Sequence, residues 1–165
     1  MTFRKASKKL ALSVGTAAFM LSMAGALTPA SAAGADWIFQ SGRNNNKCLN
    51  GSTASDRVWA GGCGPGAGPL WHWGTESQQW DGHKMMRLVS NANGGCLTTD
   101  SGASKNAVYN APCGNGRSGQ FWTADGKYLQ NQNHSYLAYF NDGDGVYTIP
   151  AEDDVTCFWF DEVIG

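Results

Sequence analysis

Arg87-Leu88-Val89-Ser90, an Asn-rich turn and Cys96-Leu97 form an element that occurs three times in this chain. The other copies run from Ile38-Phe39-Gln40-Ser41 to Cys48-Leu49 and from Tyr128-Leu129-Gln130-Asn131 to Tyr136-Leu137. Each copy continues to a Val beside an aromatic residue, at Val58-Trp59, Val108-Tyr109 and Val146-Tyr147. Each then closes on a tryptophan, in Gln78-Gln79-Trp80, Gln120-Phe121-Trp122 and Cys157-Phe158-Trp159. The closing tryptophans are 42 and 37 residues apart, and this period indicates a fold built from three repeats.

Short apolar runs separated by Gly, Asn, Ser and Asp make up the rest of the repeated region. Many short runs with dense turn chemistry are typical of an all-β chain. No single repeat has enough apolar surface to form a core alone, so we expect the three to close around a shared one.

The charge of the chain argues against a nucleic-acid binder. Its 165 residues are 42% hydrophobic and 15% charged, with a formal net charge of −1. From residue 33 onward, eight basic residues face thirteen acidic ones, which gives a net charge of −5. An acidic region without a basic patch does not suit a polyanion, and the aromatic content argues against disorder.

The first 32 residues have the pattern of a secretory signal peptide. Met1 to Lys9 is basic, Leu10 to Leu27 is apolar, and Ala30-Ser31-Ala32 offers a cleavage site. The alternative is a membrane anchor, but the apolar run only just reaches spanning length. We therefore predict a signal peptide over 1–32 and a single secreted, extracellular domain over 33–165, with no other stretch able to span a bilayer. All five cysteines lie in that domain, as expected for an oxidising compartment.

The Cys-Leu elements, each followed by a closing Gln-x-Trp, resemble the ricin-type β-trefoil lectins over residues 37–160. The resemblance implies an all-β fold in which a closed six-stranded barrel is capped by three hairpins with pseudo-threefold symmetry. The repeats are expected at about 37–80, 81–122 and 123–160. Trp80, Trp122 and Trp159 are expected in the core.

The same resemblance implies two disulfides, Cys48–Cys63 in repeat one and Cys96–Cys113 in repeat two. The sequence alone permits other pairings. Cys157 is then left unpaired, at the place of the Gln in Gln-x-Trp. One interpretation is a buried, inert thiol, and the other is an intermolecular disulfide to a partner.

The sugar-binding positions of the family do not match this chain. The family's Asp position holds Asn50, Thr98 and Ala138. Its aromatic position holds Gly61, Ala111 and Ile149, and its Asn position holds Ser77, Gly119 and Thr156. None of the three repeats keeps the set, which argues against galactose-type recognition.

An aromatic ring does lie two residues before each lost aromatic position, at Trp59, Tyr109 and Tyr147. Residues two apart on a strand point to the same face, so an unbulged strand would keep a ring available for stacking. Repeat one is the best candidate, because Asn50 can hydrogen-bond a hydroxyl beside Trp59. The alternative is that these rings only pack under the hairpins.

A Gly- and Pro-rich segment at about Gly64–Gly74 makes repeat one longer than repeat two between its second Cys and its closing motif. Trp71 and Trp73 lie in it, and we expect a loop. The two rings either fold back onto the barrel or form an exposed anchor for a partner.

No motif of a nucleophile, a metal site or a phosphate loop is present, so we predict a non-catalytic protein without cofactor or metal. The favoured function is carbohydrate binding on an extracellular or cell-surface target. The alternative is a protein-binding subunit of a secreted assembly, such as a toxin complex, with decayed sugar pockets. A third hypothesis is inhibition of a secreted hydrolase. The expected partner is thus a glycan or an extracellular protein.

Overall fold

The computed structural model describes residues 34–101, 103–114, 118–125, 127–151, 153, 155–157 and 159–164. The predicted signal peptide, 1–32, lies outside them. The described residues contain twelve strands, four per repeat. Repeat one has β1 (Asp36–Ser41), β2 (Cys48–Gly51), β3 (Val58–Gly61) and β4 (Trp71–Trp80). Repeat two has β5 (His83–Ser90), β6 (Cys96–Thr99), β7 (Asn106–Ala111) and β8 (Phe121–Thr123). Repeat three has β9 (Gln130–Asn131), β10 (Ser135–Tyr139), β11 (Val146–Ile149) and β12 (Trp159–Ile164).

The first and fourth strands of each repeat form a barrel. Antiparallel pairing runs from β12 to β1, β4, β5, β8 and β9. The backbone N–H of Trp159 donates to the carbonyl of Lys127, 3.0 Å away, and so brings β12 beside the segment that leads into β9. The second and third strands of each repeat pair as hairpins β2–β3, β6–β7 and β10–β11. The predicted all-β trefoil is confirmed.

The core of the barrel is a layer of three tryptophans, one from the start of the fourth strand in each repeat. Trp71, Trp122 and Trp159 are 0%, 0% and 3% exposed. Each indole N–H donates to the carbonyl of a leucine in the second strand of its own repeat, at 2.8 to 3.0 Å. These acceptors are Leu49, Leu97 and Leu137. A buried indole N–H needs an acceptor, so this contact ties each hairpin to the barrel.

Trp80 is not a core residue, and that prediction is wrong. It is half-buried at the end of β4, where its ring lies 4.2 Å from that of His134. Trp71 takes the place that the resemblance gave to Trp80. Pro69 stands where repeat two has Gln120, so Gln78-Gln79-Trp80 resembles the closing motif without occupying its position.

The predicted loop over Gly64–Gly74 is also corrected, because Trp71 and Trp73 lie on β4. The extra residues of repeat one form the outer part of a long β4–β5 hairpin. Asp81 and Gly82 turn this hairpin with φ of 49° and 81°. Asp-Gly is a strong two-residue hairpin signal, because both central residues of such a turn need positive φ.

Two disulfides join Cys48 to Cys63 and Cys96 to Cys113, as the resemblance implied. Cys157 takes part in neither and is 0% exposed. Its Sγ lies 3.8 Å from Thr156 Oγ1 and 4.0 Å from the carbonyl of Ala151. This burial favours an inert thiol, since a partner's cysteine does not reach it in the folded chain.

Candidate functional site

The three hairpins carry the rings predicted for ligand binding. In β2–β3 the residues from Cys48 to Gly51 pair without a break with those from Gly61 back to Val58, and Asn50 faces Trp59 across the strands. Thr98 faces Tyr109 and Ala138 faces Tyr147 in the same way. These described strands contain no bulge. This is the condition under which Trp59, Tyr109 and Tyr147 lie on the same face as the family's aromatic position. Each ring therefore lies beside the residue at the family's Asp position.

In repeat one the indole of Trp59 covers Gly61. A Cβ added to Gly61 would lie 2.6 Å from Trp59 Nε1 and 2.9 Å from Asn50 Nδ2. The ring thus occupies the space into which a side chain at the family's aromatic position would project. Gly61 is required here, because any larger residue would displace Trp59.

The amide of Asn50 is fixed in one orientation. Its Nδ2 donates to the carbonyls of Cys48 and Gly62, at 2.9 and 3.2 Å. An aspartate would place a carboxylate against both carbonyls, which explains why the chain has Asn where the family has Asp. Asn50 Oδ1 accepts no hydrogen bond within the described residues, so an acceptor is left for a ligand.

Gly68, and not Ser77, occupies the family's Asn position once Trp71 is taken as the closing tryptophan. A Cβ on Gly68 would lie 2.9 Å from Asn50 Oδ1, which places this residue beside the pocket. Ser77 lies on the outer part of β4. The guanidinium of Arg57 lies 5.2 Å from the centroid of the Trp59 ring. Asn50, Trp59, Arg57 and the glycines Gly61 and Gly68 define the repeat-one face.

Repeat two offers fewer polar groups on its hairpin. Thr98 donates through Oγ1 to the carbonyl of Cys96 at 2.8 Å and accepts from Gln120 Nε2 at 3.1 Å. Tyr109 donates its hydroxyl to Asp100 at 2.9 Å. Both groups at the positions equivalent to Asn50 and Trp59 are therefore engaged within the chain.

Repeat three has no polar side chain at the position equivalent to Asn50, which is Ala138. Its ring, Tyr147, is covered by Lys105 Nζ at 3.7 Å from the ring centroid, and Phe140 lies beside it. The cation occupies the face on which a sugar ring would stack. The three predicted rings thus have different surroundings, and only repeat one combines a ring with an acceptor that no described residue uses.

Asparagines join neighbouring repeats, a feature that the sequence analysis missed. Asn93 Nδ2 donates to the carbonyl of Ser55, and Asn133 Nδ2 to that of Asp100, both at 3.0 Å. Grooves of about 480 and 210 Å³ lie at these two junctions. The sequence signal for these contacts is the Asn-rich turn that each repeat contains.

An ion pair spans the third junction, between repeats three and one. Lys47 Nζ lies 2.7 Å from Asp144 Oδ1. The hydrogen bond from Lys47 holds the pKa of Asp144 below its usual value, and the same bond raises the pKa of Lys47. An amide contact accompanies the ion pair at this junction, since Asn44 Nδ2 donates to Asn141 Oδ1 at 3.4 Å.

Trp73 and Trp71 lie on β4 and not on the hairpins β2–β3, β6–β7 and β10–β11. Trp71 is fully buried and is not available to a ligand. Trp73 is half-buried and lines a cavity of about 260 Å³ at the open mouth of the barrel, together with Trp37 and Asp161. The candidate residues therefore fall into two places, the hairpins and the barrel mouth.

The part of the chain that the structure describes holds no cluster of His, Cys, Asp or Glu suited to a metal ion. Nor does it contain a helix that is long and apolar enough to cross a membrane.

Comparison with solved structures identifies the fold as the β-trefoil of R-type and other lectins. The C-half of the earthworm R-type lectin, in complex with GalNAc, is 12% identical, with a TM-score of 0.60 over 79% of this chain and 99% of that one. The β-trefoil lectin of the Vibrio vulnificus hemolysin/cytolysin, with N-acetyl-D-lactosamine bound, is 22% identical, with a TM-score of 0.60 over 79% and 96%.

A designed threefold-symmetric protein, ThreeFoil, is 17% identical, with a TM-score of 0.63 over 78% of this chain and 99% of that one. No protein-family profile matches the chain, and no curated protein sequence matches it. At these identities the likeness establishes the fold, and the function must be argued from the site.

Proposed function

We propose that this protein is a secreted, non-catalytic lectin that binds a carbohydrate through the repeat-one face. The observation that carries the proposal is the pairing of Asn50 with Trp59 over Gly61. Lectins of the same fold hold GalNAc and N-acetyl-D-lactosamine in their solved structures. The predicted signal peptide and the two disulfides support an extracellular location.

The groups on the repeat-one face suit a sugar. Asn50 Oδ1 accepts a hydrogen bond from a hydroxyl, while Trp59 Nε1–H and the Arg57 guanidinium donate to hydroxyl oxygens. The guanidinium of Arg57 lies over this indole, 5.2 Å from the ring centroid, so a pyranose that stacks its C–H side on Trp59 shares the ring with that cation. Neither Asn50 Oδ1 nor Trp59 Nε1 has a hydrogen-bond partner among the described residues, so a ligand does not have to displace one.

The test is a glycan-array and calorimetric comparison of protein expressed from the full chain with its Trp59→Ala and Tyr147→Ala variants. Both variants lose a half-buried ring from the same position of a hairpin, so their stability losses should be similar. We expect Trp59→Ala to weaken glycan binding at least about tenfold, because stacking and one donor are lost together. Tyr147→Ala should bind as the unmodified chain does.

Equal binding by the Trp59→Ala variant and the unmodified chain would refute the assignment to repeat one. Binding of no glycan by any of the three proteins would refute the function itself.

A protein-binding subunit of a secreted assembly is the second candidate, and two observations favour it. In repeat two Thr98 and the Tyr109 hydroxyl are engaged within the chain, and in repeat three Ala138 is apolar and Lys105 covers Tyr147. Val163 and Ile164, at the end of β12, are 48% and 41% exposed. The buried Trp71 no longer supports this hypothesis.

A pull-down from native culture supernatant, eluted first with mixed sugars and then with detergent, separates the two functions. Release by sugar without a stoichiometric protein supports the lectin. A defined protein that only detergent removes supports the subunit.

A further inference from the structure

The cavity at the barrel mouth is bounded at its inner end by Trp122, one of the three core tryptophans. Side chains of a strand return to the same face every second residue, so the next inward layer lies two residues beyond the core positions. Trp37 and Trp73 are the members of this layer in repeat one, two residues from Phe39 and Trp71. Both tryptophans are half-buried, and the ring of Phe39 meets that of Trp73 edge-on at 6.1 Å.

Repeats two and three fill this layer differently. Repeat two contributes Met86 and the small Ala124, and repeat three contributes Asp161. The layer below has a tryptophan from every repeat. The layer at the barrel mouth has two indoles on one side, and a methionine, an alanine and a carboxylate on the other. The loss of symmetry leaves a cavity of about 260 Å³ above Trp122.

Charged groups of both signs border the cavity. Lys84, Asp125 and Asp161 line it and are exposed. Asp125 is already engaged, because its Oδ2 lies 2.9 Å from Nδ1 of His83. The side chains of Lys84 and Asp161 have no hydrogen bond or ion pair within the described part of the chain. The rim therefore offers one donor and one acceptor that are free to meet a ligand.

The size and chemistry of this cavity select the class of ligand. Its volume is slightly below the range of about 300–1,000 Å³ that drug-sized ligands occupy, so it suits a single ring. An anion would meet two carboxylates. An organic cation would meet Lys84, and of the two carboxylates nearby Asp125 is already engaged by His83. A neutral ring with hydroxyls can accept from Lys84, donate to Asp161 and pack its C–H face against the tryptophans.

We propose that the barrel mouth is a second carbohydrate subsite, separate from the repeat-one face, that holds one neutral pyranose ring. The inference rests on the proposed lectin function. The subsite differs from the hairpin pockets implied by the resemblance, because it lies on the pseudo-threefold axis and draws on all three repeats.

The test follows the indole N–H signals of ¹⁵N-labelled full-chain protein during titration with methyl glycosides of galactose, glucose, mannose and N-acetylgalactosamine. Choline and acetate serve as the cationic and anionic probes. Trp73→Phe and Trp59→Phe assign the two diagnostic signals. We expect at least one neutral glycoside to shift the Trp73 signal, whereas choline and acetate leave it in place.

Three variants locate the subsite without removing a core ring. Ala124→Leu fills the cavity, and Asp161→Ala removes the free acceptor from the rim. Asp142→Ala removes an exposed carboxylate from a distant hairpin turn and is the matched control. We expect Ala124→Leu to abolish the shift at Trp73, Asp161→Ala to weaken binding there about tenfold or more, and Asp142→Ala to change nothing.

The failure of this inference can be told apart from that of the lectin function. If glycosides shift the Trp59 signal but never that of Trp73, the barrel-mouth subsite is refuted and the repeat-one site stands. If choline or acetate shifts the Trp73 signal and neutral glycosides do not, the ligand class is wrong. If no glycoside shifts either signal, both proposals fall.

Discussion

Replacing Trp71 and Trp80 in turn by phenylalanine tests which tryptophan closes repeat one. Trp71 is 0% exposed, and its indole N–H donates to the carbonyl of Leu49 at 2.9 Å. Phenylalanine removes this donor from a buried acceptor, which costs about 1–3 kcal/mol. The smaller ring also leaves a cavity, worth on the order of 1 kcal/mol. The expected loss for Trp71→Phe is therefore about 2–4 kcal/mol.

Trp80→Phe should cost less than about 1 kcal/mol, because it keeps most of a half-buried ring and its contact with His134. For a domain of this size 1 kcal/mol corresponds to roughly 3–5 °C in Tm. We thus expect Trp71→Phe to lower Tm by about 6–20 °C and Trp80→Phe by less than about 5 °C.

Thermal melts followed by circular dichroism measure both values, and urea titrations at equal slope check that unfolding remains two-state. A loss for Trp80→Phe equal to or greater than that for Trp71→Phe would show that the core reasoning is wrong. Trp122→Phe should match Trp71→Phe, because its indole makes the same contact to Leu97.

Lys47→Ala should lower Tm at neutral pH, because it removes the ion pair with Asp144. The pKa of Asp144 is lowered and that of Lys47 is raised, so the difference should fade below about pH 4 and again above about pH 10. A difference that is constant from pH 3 to 11 would contradict this reasoning. Cys157 should resist iodoacetamide in the folded chain and react once urea unfolds it, because it is 0% exposed. Alkylation of the native protein, read by mass spectrometry, would show that the thiol is accessible.

The repeat period and the all-β class could be predicted because each depends on residues close together in the sequence, whereas the two disulfides were implied by the resemblance to the ricin-type lectins. The Cys-Leu element and the Val–aromatic pair lie on adjacent strands of one hairpin. Their spacing is therefore fixed by the length of that hairpin. Period-2 alternation then put Trp59 and Gly61 on the same face of one strand without knowledge of the barrel.

Trp71 was not predicted as the closing tryptophan of repeat one, because the Gln that precedes such a tryptophan is replaced by Pro69. Its indole still donates to the carbonyl of Leu49, as in the other repeats. Gln120 in repeat two donates to Thr98 and to the carbonyl of Pro112, and it accepts from the N–H of Gly114. Pro69 cannot make these bonds, and the Gln-x-Trp that repeat one does contain, Gln78-Gln79-Trp80, lies farther along β4. The Asp81-Gly82 turn was the signal that Trp80 ends a hairpin strand and not a repeat.

The cavity at the barrel mouth could not be predicted from the sequence, because the residues that line it come together only when β12 pairs with β1. Trp37 and Asp161 are far apart in the chain, yet both line the cavity. The sequence placed Trp73 in a loop, and it could not pair that ring with a residue from another repeat. Long-range register, set by the pairing of β1 with β12, decides this site.

The two inward layers of the barrel differ in how far the repeats have diverged, and physical constraints account for the difference. In the lower layer each indole must reach a leucine carbonyl, and any smaller residue would leave a buried acceptor and a void. Every repeat therefore keeps a tryptophan there. In the layer at the mouth, water satisfies polar groups and the cost of a change is small. An asymmetric site with two rings on one side and a carboxylate on the other can therefore arise only in the layer at the mouth. The lower layer does not tolerate such asymmetry, because each repeat needs its tryptophan there.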